Sequence, residues 1–115
     1  MKNIPIIILC LIVLLFLKKR YFDNTDYKSM LVKGGVIIDV RSKGEFYSGH
    51  IKGSLNIPIS ELTSCLNYLN DKDQPIITCC ASGLRSVGAA KLLSANGYTN
   101  VVNGGGWSIL ERKLK

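Results

Sequence analysis

Two short apolar runs constrain the fold of this chain more than any other feature. Residues 36–40 (Val-Ile-Ile-Asp-Val) and 75–79 (Pro-Ile-Ile-Thr-Cys) lack the polar alternation of a half-exposed strand. Such runs are typical of strands that are buried on both faces of a sheet. Around them lie predicted helices at 25–33, 60–70, 86–96 and 107–114, weaker strands at 54–57 and 101–102, and a glycine turn at 103–106. Strands that alternate with helices predict a three-layer α/β domain with a mainly parallel sheet.

The charge of the chain is unevenly distributed. The 115 residues, enough for one domain, carry a formal net charge of +7. Four basic residues, Lys2 and the cluster 18–20, lie in the first 20 positions. Residues 21–115 carry the other 11 Lys and Arg against 8 Asp and Glu, a net of +3. This pattern lacks the basic stripe of a nucleic-acid binder, and no nucleic-acid partner is predicted.

An apolar segment precedes the domain. Ile4–Leu17 is an uncharged run of 14 residues, followed by Lys18-Lys19-Arg20. As a helix it spans about 21 Å, short of the ~30 Å hydrocarbon core of a bilayer. Counting from Met1, with snorkelling lysines and local thinning, closes the gap. We therefore expect residues 1–20 to form a membrane anchor with one transmembrane helix in contact with lipid, and residues 21–115 to form the domain.

Two other interpretations of the segment stay open, a cleaved signal peptide and a buried soluble helix. A cleavage site needs small residues, and none follows Leu17 before Phe22. One basic residue precedes the run and three follow it. The positive-inside rule therefore predicts a single-pass protein with its domain on the cytoplasmic side, as at a bacterial inner membrane. That compartment is reducing, which suits unpaired thiols.

The chain contains four cysteines, Cys10, Cys65, Cys79 and Cys80, and one histidine. Neighbouring cysteines form a disulfide only with strain. No Cys-x-x-Cys pair is present, so a structural zinc site is not predicted. Cys65 has the pattern of a small buried apolar residue.

Cys80 lies where open parallel sheets place their ligands, directly after a buried strand and before a helix. Backbone amides of the loop, the positive end of the helix at 86–96 and the cation of Arg85 are each expected to lower the pKa of the thiol. The sequence thus predicts a reactive thiolate. The alternative from these residues alone is an inert, buried structural cysteine.

Three blocks of sequence resemble the single-domain rhodaneses, the thiosulfate sulfurtransferase family, over roughly residues 25–107. The first is Cys-x-x-Gly-x-Arg-Ser at 80–86, which is similar to the active-site loop of that family. The second runs from Asp39-Val40-Arg41 through Glu45-Phe46 and Gly49-His50-Ile51 to Asn56-Ile57-Pro58, and the third from Ala89 to the glycines at 104–106. The blocks keep the order of the family, so the resemblance implies a rhodanese-like domain.

The resemblance implies a reaction and its site residues. Cys80 would take the outer sulfur of a small anionic donor such as thiosulfate, become a persulfide, and pass the sulfur to a thiol acceptor protein, a small thiol or cyanide. The loop residues would bind the donor: Ala81, Ser82, Gly83, Leu84, Arg85 and Ser86. Asp39 and Arg41 would support the loop, and His50 would be structural. No cofactor or metal is implied.

Two alternatives to an enzyme of this kind remain. One is a catalytically weak rhodanese-like module that tethers partners at the membrane, which would not need the nucleophile Cys80. The other is a phosphatase or arsenate reductase, whose similar loop is one residue longer than the stretch from Cys80 to Arg85. Cys79 is open to two interpretations, resolution of the Cys80 persulfide or a side chain that packs inside the sheet.

Overall fold

Four parallel strands form the central sheet of the computed structural model, which describes residues 4–21 and 25–115. Their order is β2-β1-β3-β4, and every neighbouring pair is parallel. The strands are β1 Val36–Asp39, β2 Leu55–Asn56, β3 Ile76–Cys80 and β4 Val101–Gly106. The predicted parallel α/β fold is confirmed. The two buried apolar runs form the central strands β1 and β3, each of which is hydrogen-bonded to a neighbouring strand on both sides.

Helices cover both faces of this sheet. The helices are α1 Ile4–Tyr21, α2 Tyr27–Val32, α3 Lys43–Ser48, α4 Leu84–Ala95 and α5 Trp107–Lys113, with 3₁₀ turns at Ile59–Glu61 and Thr63–Tyr68. Of these, α4 covers one face and α2 and α5 cover the other, while the described side chains of α1 are exposed. On one face, Ile38 and Ile76 pack in a cluster with Leu93 of α4. On the other face, Ile37 and Ile77 pack with Leu110 of α5. Strand residues alternate between the faces, so the two clusters give the three predicted layers.

Two helical regions differ from the sequence-based expectation. Residues 60–70 form 3₁₀ turns rather than an α-helix, since Thr63, Ser64 and Asn67 are weak helix formers. Helix α3 was not predicted, although its start carries a capping box. In it the Ser42 side chain accepts the Glu45 amide, and the Glu45 carboxylate accepts the Ser42 amide.

The glycine run at 104–106 is the end of β4 and not the predicted turn. Glycine is needed there because the strand passes very close to its neighbours. A Cβ on Gly104 would lie 2.8 Å from side-chain carbons of both Ile77 and Leu110. A Cβ on Gly106 would lie 2.9 Å from the carbonyl oxygen of Ala81. Because Gly104 and Gly106 have no side chains, β4 can lie directly against β3 and the loop that follows it.

The N-terminal segment is helical, as α1. Nevertheless, among the residues that the structure describes, none of the helices has the length and apolar character needed to cross a membrane. The predicted transmembrane helix is not confirmed, since the uncharged part of α1 covers only about 21 Å of the ~30 Å required. Residues 1–3 of the predicted anchor and residues 22–24 of the predicted domain lie outside the described residues.

Candidate active site

Cys80 is the last residue of β3, and its side chain lies on the α4 face of the sheet. The residue is only 1% exposed. Three loop residues, 81–83, connect it to α4, which begins at Leu84, two residues earlier than expected. Gly83 has a φ of +100°, and a Cβ there would lie 3.2 Å from the Cα of Gly105. A side chain at position 83 would therefore be strained and would push the loop away from β4.

The sulfur of Cys80 accepts hydrogen bonds from the loop and from α4. The Gly83 amide lies 3.0 Å from Sγ, and the Ser86 hydroxyl lies 3.4 Å from it. Burial raises the pKa of the Cys80 thiol. Hydrogen bonds from the Ser86 side chain and from the backbone amides of Ser86, Ser82 and Gly83 outweigh this effect and leave the pKa below its ordinary value. The site thus stabilises a thiolate mainly by hydrogen bonds to sulfur.

Asn103 of β4 holds the loop from the other side. Its Oδ1 accepts a hydrogen bond from the Gly105 amide at 3.0 Å and lies 2.6 Å from the Ser86 hydroxyl oxygen, whose single proton is shared between Oδ1 and the Cys80 sulfur. Its Nδ2 donates to the Gly83 carbonyl at 3.3 Å. Sequence reasoning missed this residue because it assigned position 103 to a turn. Only the length of β4 places Asn103 beside Ser86, and no spacing rule in the sequence reveals it.

Arg85 is paired with a carboxylate. Its Nη1 and Nη2 donate to Oε1 and Oε2 of Glu45 at 2.8 and 2.9 Å. Glu45 belongs to α3, so the pair joins the first turns of α3 and α4. Sequence reasoning found Glu45 only as part of a motif. The capping-box spacing from Ser42 to Glu45 was the available signal for α3, but it does not reveal the contact with Arg85.

Asp39 and Arg41 form a buried ion pair behind the site. The residues are 0% and 4% exposed, and Arg41 Nη2 lies 2.7 Å from Asp39 Oδ2. Nη2 also donates to the Gly49 carbonyl at 2.7 Å, beyond the end of α3. The ring of Trp107 lies 4.7 Å from the guanidinium carbon. These contacts fix the end of β1 to α3 and α5, and none of them reaches residues 81–86, so support of the Cys80 loop stays a prediction.

The remaining predicted site residues lie on the surface of the loop or near it. Ala81, Ser82 and Leu84 are exposed, and Leu84 is 82% exposed. His50 contacts Phe46 instead, with its Nδ1 2.8 Å from the Phe46 carbonyl oxygen and the two rings stacked. The structural interpretation of His50 is therefore favoured.

Cys79 packs on the opposite face of the sheet from Cys80, in the cluster with Leu110. It is completely buried. Burial, followed by the charge of Asp39, raises the pKa of this thiol to about 12. Such a thiol is protonated at neutral pH and cannot reach Cys80 through the sheet. Of the two interpretations of Cys79, the structure favours packing inside the sheet.

The lowered pKa of Cys80 predicts that alkylation of this thiol begins at a lower pH than alkylation of an ordinary cysteine. Only the thiolate reacts, so the iodoacetamide rate rises with pH through the pKa, and the midpoint should lie below that of the cysteine in an unstructured peptide with the sequence around Cys80. Replacing Ser86 with alanine removes a hydroxyl donor and should move the midpoint up by roughly 0.5 to 1 pH unit. Mass spectrometry of the Cys80 peptide measures the rate. Ser94→Ala, on the exposed end of the same helix, should leave it unchanged. A wild-type midpoint at or above that of the peptide would contradict the stabilised thiolate.

Comparisons with known proteins agree with this geometry. The family described as "Rhodanese-like domain" matches residues 23–109. The Bacillus subtilis protein YqhL is 42% identical over 67 residues, which are 58% of this chain and 52% of YqhL, so the chain spans about half of that relative. The Homo sapiens thiosulfate:glutathione sulfurtransferase is 35% identical over 92 residues, 68% of this chain and 80% of that protein. A solved structure described as rhodanese with anions, from Escherichia coli, has a TM-score of 0.59 and 36% identity over 64% of this chain and 88% of its own.

Proposed function

Because the chain belongs to the rhodanese-like domain family, we propose that it is a sulfurtransferase in which Cys80 carries sulfur as a persulfide. The observation that carries the proposal is the environment of the Cys80 sulfur. The sulfur accepts a hydrogen bond from the Gly83 amide at 3.0 Å, and the hydrogen bonds to the sulfur lower the pKa of the thiol. A lowered pKa provides the thiolate, which is the nucleophilic form of cysteine.

In the first half of the proposed reaction, the Cys80 thiolate attacks the outer sulfur of the donor. With thiosulfate, a new S–S bond forms to Cys80, and the bond between the outer sulfur and the sulfonate breaks. Sulfite leaves with the electron pair of that bond. The product at Cys80 is a persulfide anion. The amides of Ser82, Gly83 and Ser86, which contribute to the lowered pKa of the thiol, can also stabilise this anion.

In the second half, an acceptor attacks the terminal sulfur of the persulfide. An acceptor thiolate, on a protein or a small thiol, becomes a persulfide itself, and cyanide becomes thiocyanate. The S–S bond to Cys80 breaks, and its electron pair returns to Cys80 as the thiolate. In this proposal the loop 81–83 and the first turn of α4 surround the terminal sulfur, and an acceptor approaches past Leu84, which is exposed.

The experiment that tests this function identifies the sulfur carrier directly. Purified protein is incubated with thiosulfate, and the expected result is an adduct with the mass of one sulfur atom on the peptide that contains Cys80. Cyanide should then remove the adduct and release thiocyanate in equal amount. No adduct would contradict the proposal and would favour the catalytically weak binding module. An adduct on Cys65 alone would show that Cys80 is not the sulfur carrier.

We also propose that α1 attaches the domain to a membrane, with the domain on the cytoplasmic side. The attachment is supported by the apolar side chains of α1 between Ile6 and Leu15, which are 47–66% exposed where they are described. Lipid would remove these side chains from water. The orientation is supported by the basic residues Lys18, Lys19 and Arg20 that follow the apolar run. A topology reporter fused after Lys115 should be active only on the cytoplasmic side, and the protein should sediment with membranes. A reporter signal from the opposite side would contradict the orientation, and recovery in the supernatant would contradict the attachment.

A further inference from the structure

Arg85, the cation that follows the Cys80 loop in the first turn of α4, is already paired with the carboxylate of Glu45. Arg85 and Glu45 face each other through two parallel hydrogen bonds of 2.8 and 2.9 Å. This bidentate geometry is the strong form of an arginine–carboxylate contact. Both side chains are about two-fifths exposed, at 40% for Arg85 and 38% for Glu45, so the pair lies at the surface beside the loop.

Glu45 is held in place independently of Arg85. Its Oε1 accepts hydrogen bonds from the Ser42 amide at 3.2 Å and from the Ser42 hydroxyl at 3.1 Å, at the start of α3. The contact with Arg85, and then the Ser42 amide, lower the pKa of Glu45 to about 2. The carboxylate is therefore charged at neutral pH and fixed before any donor arrives.

A fixed negative charge beside the loop acts on donors according to their own charge. Arg85 alone would attract an anion, but the Glu45 charge cancels much of that attraction. The energy lost in this way is proportional to the charge of the donor, so it is about twice as large for a dianion as for a monoanion. The amides that bind the Cys80 sulfur carry no net charge and do not compensate for this difference.

We infer that Glu45 is a specificity-determining residue that occupies Arg85 and thereby selects sulfur donors with a single negative charge over dianionic thiosulfate. The inference rests on the proposed sulfurtransferase function. The favoured donor class is a monoanionic sulfane-sulfur compound, such as a low-molecular-weight persulfide. There the Cys80 thiolate forms a bond to the terminal sulfur, the donor S–S bond breaks, and the donor thiolate leaves with the electron pair.

The test compares two donors that differ by one charge. Thiosulfate is a dianion, and in the methanethiosulfonate anion a methyl group replaces one charged oxygen. Glu45→Gln keeps the capping box, because glutamine also serves at that position, but it removes the charge. We expect KM for thiosulfate to fall about 5-fold and KM for methanethiosulfonate about 2-fold, with kcat unchanged and the effect smaller at high salt.

Two control variants separate charge selection from structural damage. Glu61→Gln removes an exposed carboxylate on a different element and should change neither KM. Ser42→Ala removes part of the cap of α3 and leaves both contacts between Glu45 and Arg85. It should lower stability by an amount visible in urea unfolding without changing the ratio of the two KM values.

A further variant keeps the inference testable if Glu45→Gln is unstable. Glu45→Gln combined with Arg85→Gln removes both charges, so the ratio of the two KM values should stay at the wild-type value. A several-fold loss confined to thiosulfate would show that Arg85 already binds the dianion in the wild type, and would overturn the inference. Equal changes for both donors in Glu45→Gln would overturn it too, while sulfurtransferase activity remained. If the wild type forms no Cys80 persulfide from either donor, the proposed function itself is wrong.

Discussion

Replacing Cys80 with serine is expected to reduce sulfur transfer by roughly 10³-fold or more and to leave the fold intact. The serine hydroxyl is not ionised at neutral pH and cannot form a persulfide, so the first step of the proposed reaction has no nucleophile. Serine is smaller than cysteine and fits the buried position, which is 1% exposed. The serine oxygen can accept the hydrogen bond that the Gly83 amide donates to the sulfur.

Thiocyanate formation from thiosulfate and cyanide measures this loss, and intact-mass analysis should show no sulfur adduct on the Cys80→Ser protein. Urea unfolding verifies that the variant is folded. Cys65→Ser is the matched control, because Cys65 is a free thiol in the Thr63–Tyr68 turn, and its activity should equal that of the wild type. Cys80→Ser protein with more than a tenth of the wild-type rate would show that another group carries the sulfur.

The position of Cys80 could be predicted because it depends on local sequence. A buried strand, a short loop and a helix follow one another within about 20 residues, and parallel sheets place ligands at the carboxyl ends of their strands. Patterns of apolar residues also predicted the bounds of α4 and of the two central strands to within two residues. Such features depend on near neighbours in the chain, which is where patterns of apolar residues are informative.

The contacts between distant segments could not be predicted in the same way. Glu45 and Arg85 are 40 residues apart, and Ser86 and Asn103 are 17 apart. Each contact depends on where two separate elements pack, and the sequence contains no periodic signal for that. Arg85 was predicted to bind the donor, and that prediction did not include the two hydrogen bonds that its guanidinium donates to the Glu45 carboxylate.

The length of β4 shows a related limit. Glycine is usually a sign of a turn, and residues 103–106 were predicted as one. In the fold, Gly104 and Gly106 are required by close approach to Ile77, Leu110 and Ala81, while the backbone continues as a strand. Close packing between elements and a tight turn select the same residue, and the sequence does not distinguish the two causes.

Arg41→Met is expected to destabilise the domain by about 3–5 kcal/mol, because it leaves the buried Asp39 carboxylate without its cation. Asp39 is 0% exposed and accepts side-chain hydrogen bonds from Arg41 Nε and Nη2 at 2.7–3.1 Å. After the substitution, only the backbone amide of residue 41, at 3.1 Å, remains of the contacts that Arg41 makes with this carboxylate. Methionine preserves most of the volume beside Trp107, so the loss reflects charge rather than a cavity.

Equilibrium urea unfolding measures the free energy of unfolding, and Arg112→Met is the matched control. Arg112 is exposed near the end of α5, and the same substitution there should change stability by less than about 0.5 kcal/mol. The double variant Asp39→Leu with Arg41→Met removes both charges and should recover much of the lost stability, because an apolar pair can replace a buried ion pair. If Arg41→Met and Arg112→Met lowered stability equally, the ion pair between Asp39 at the end of β1 and Arg41 would not stabilise the domain. If the double variant were less stable than Arg41→Met alone, the hydrogen bonds of Asp39 would matter more than its unpaired charge.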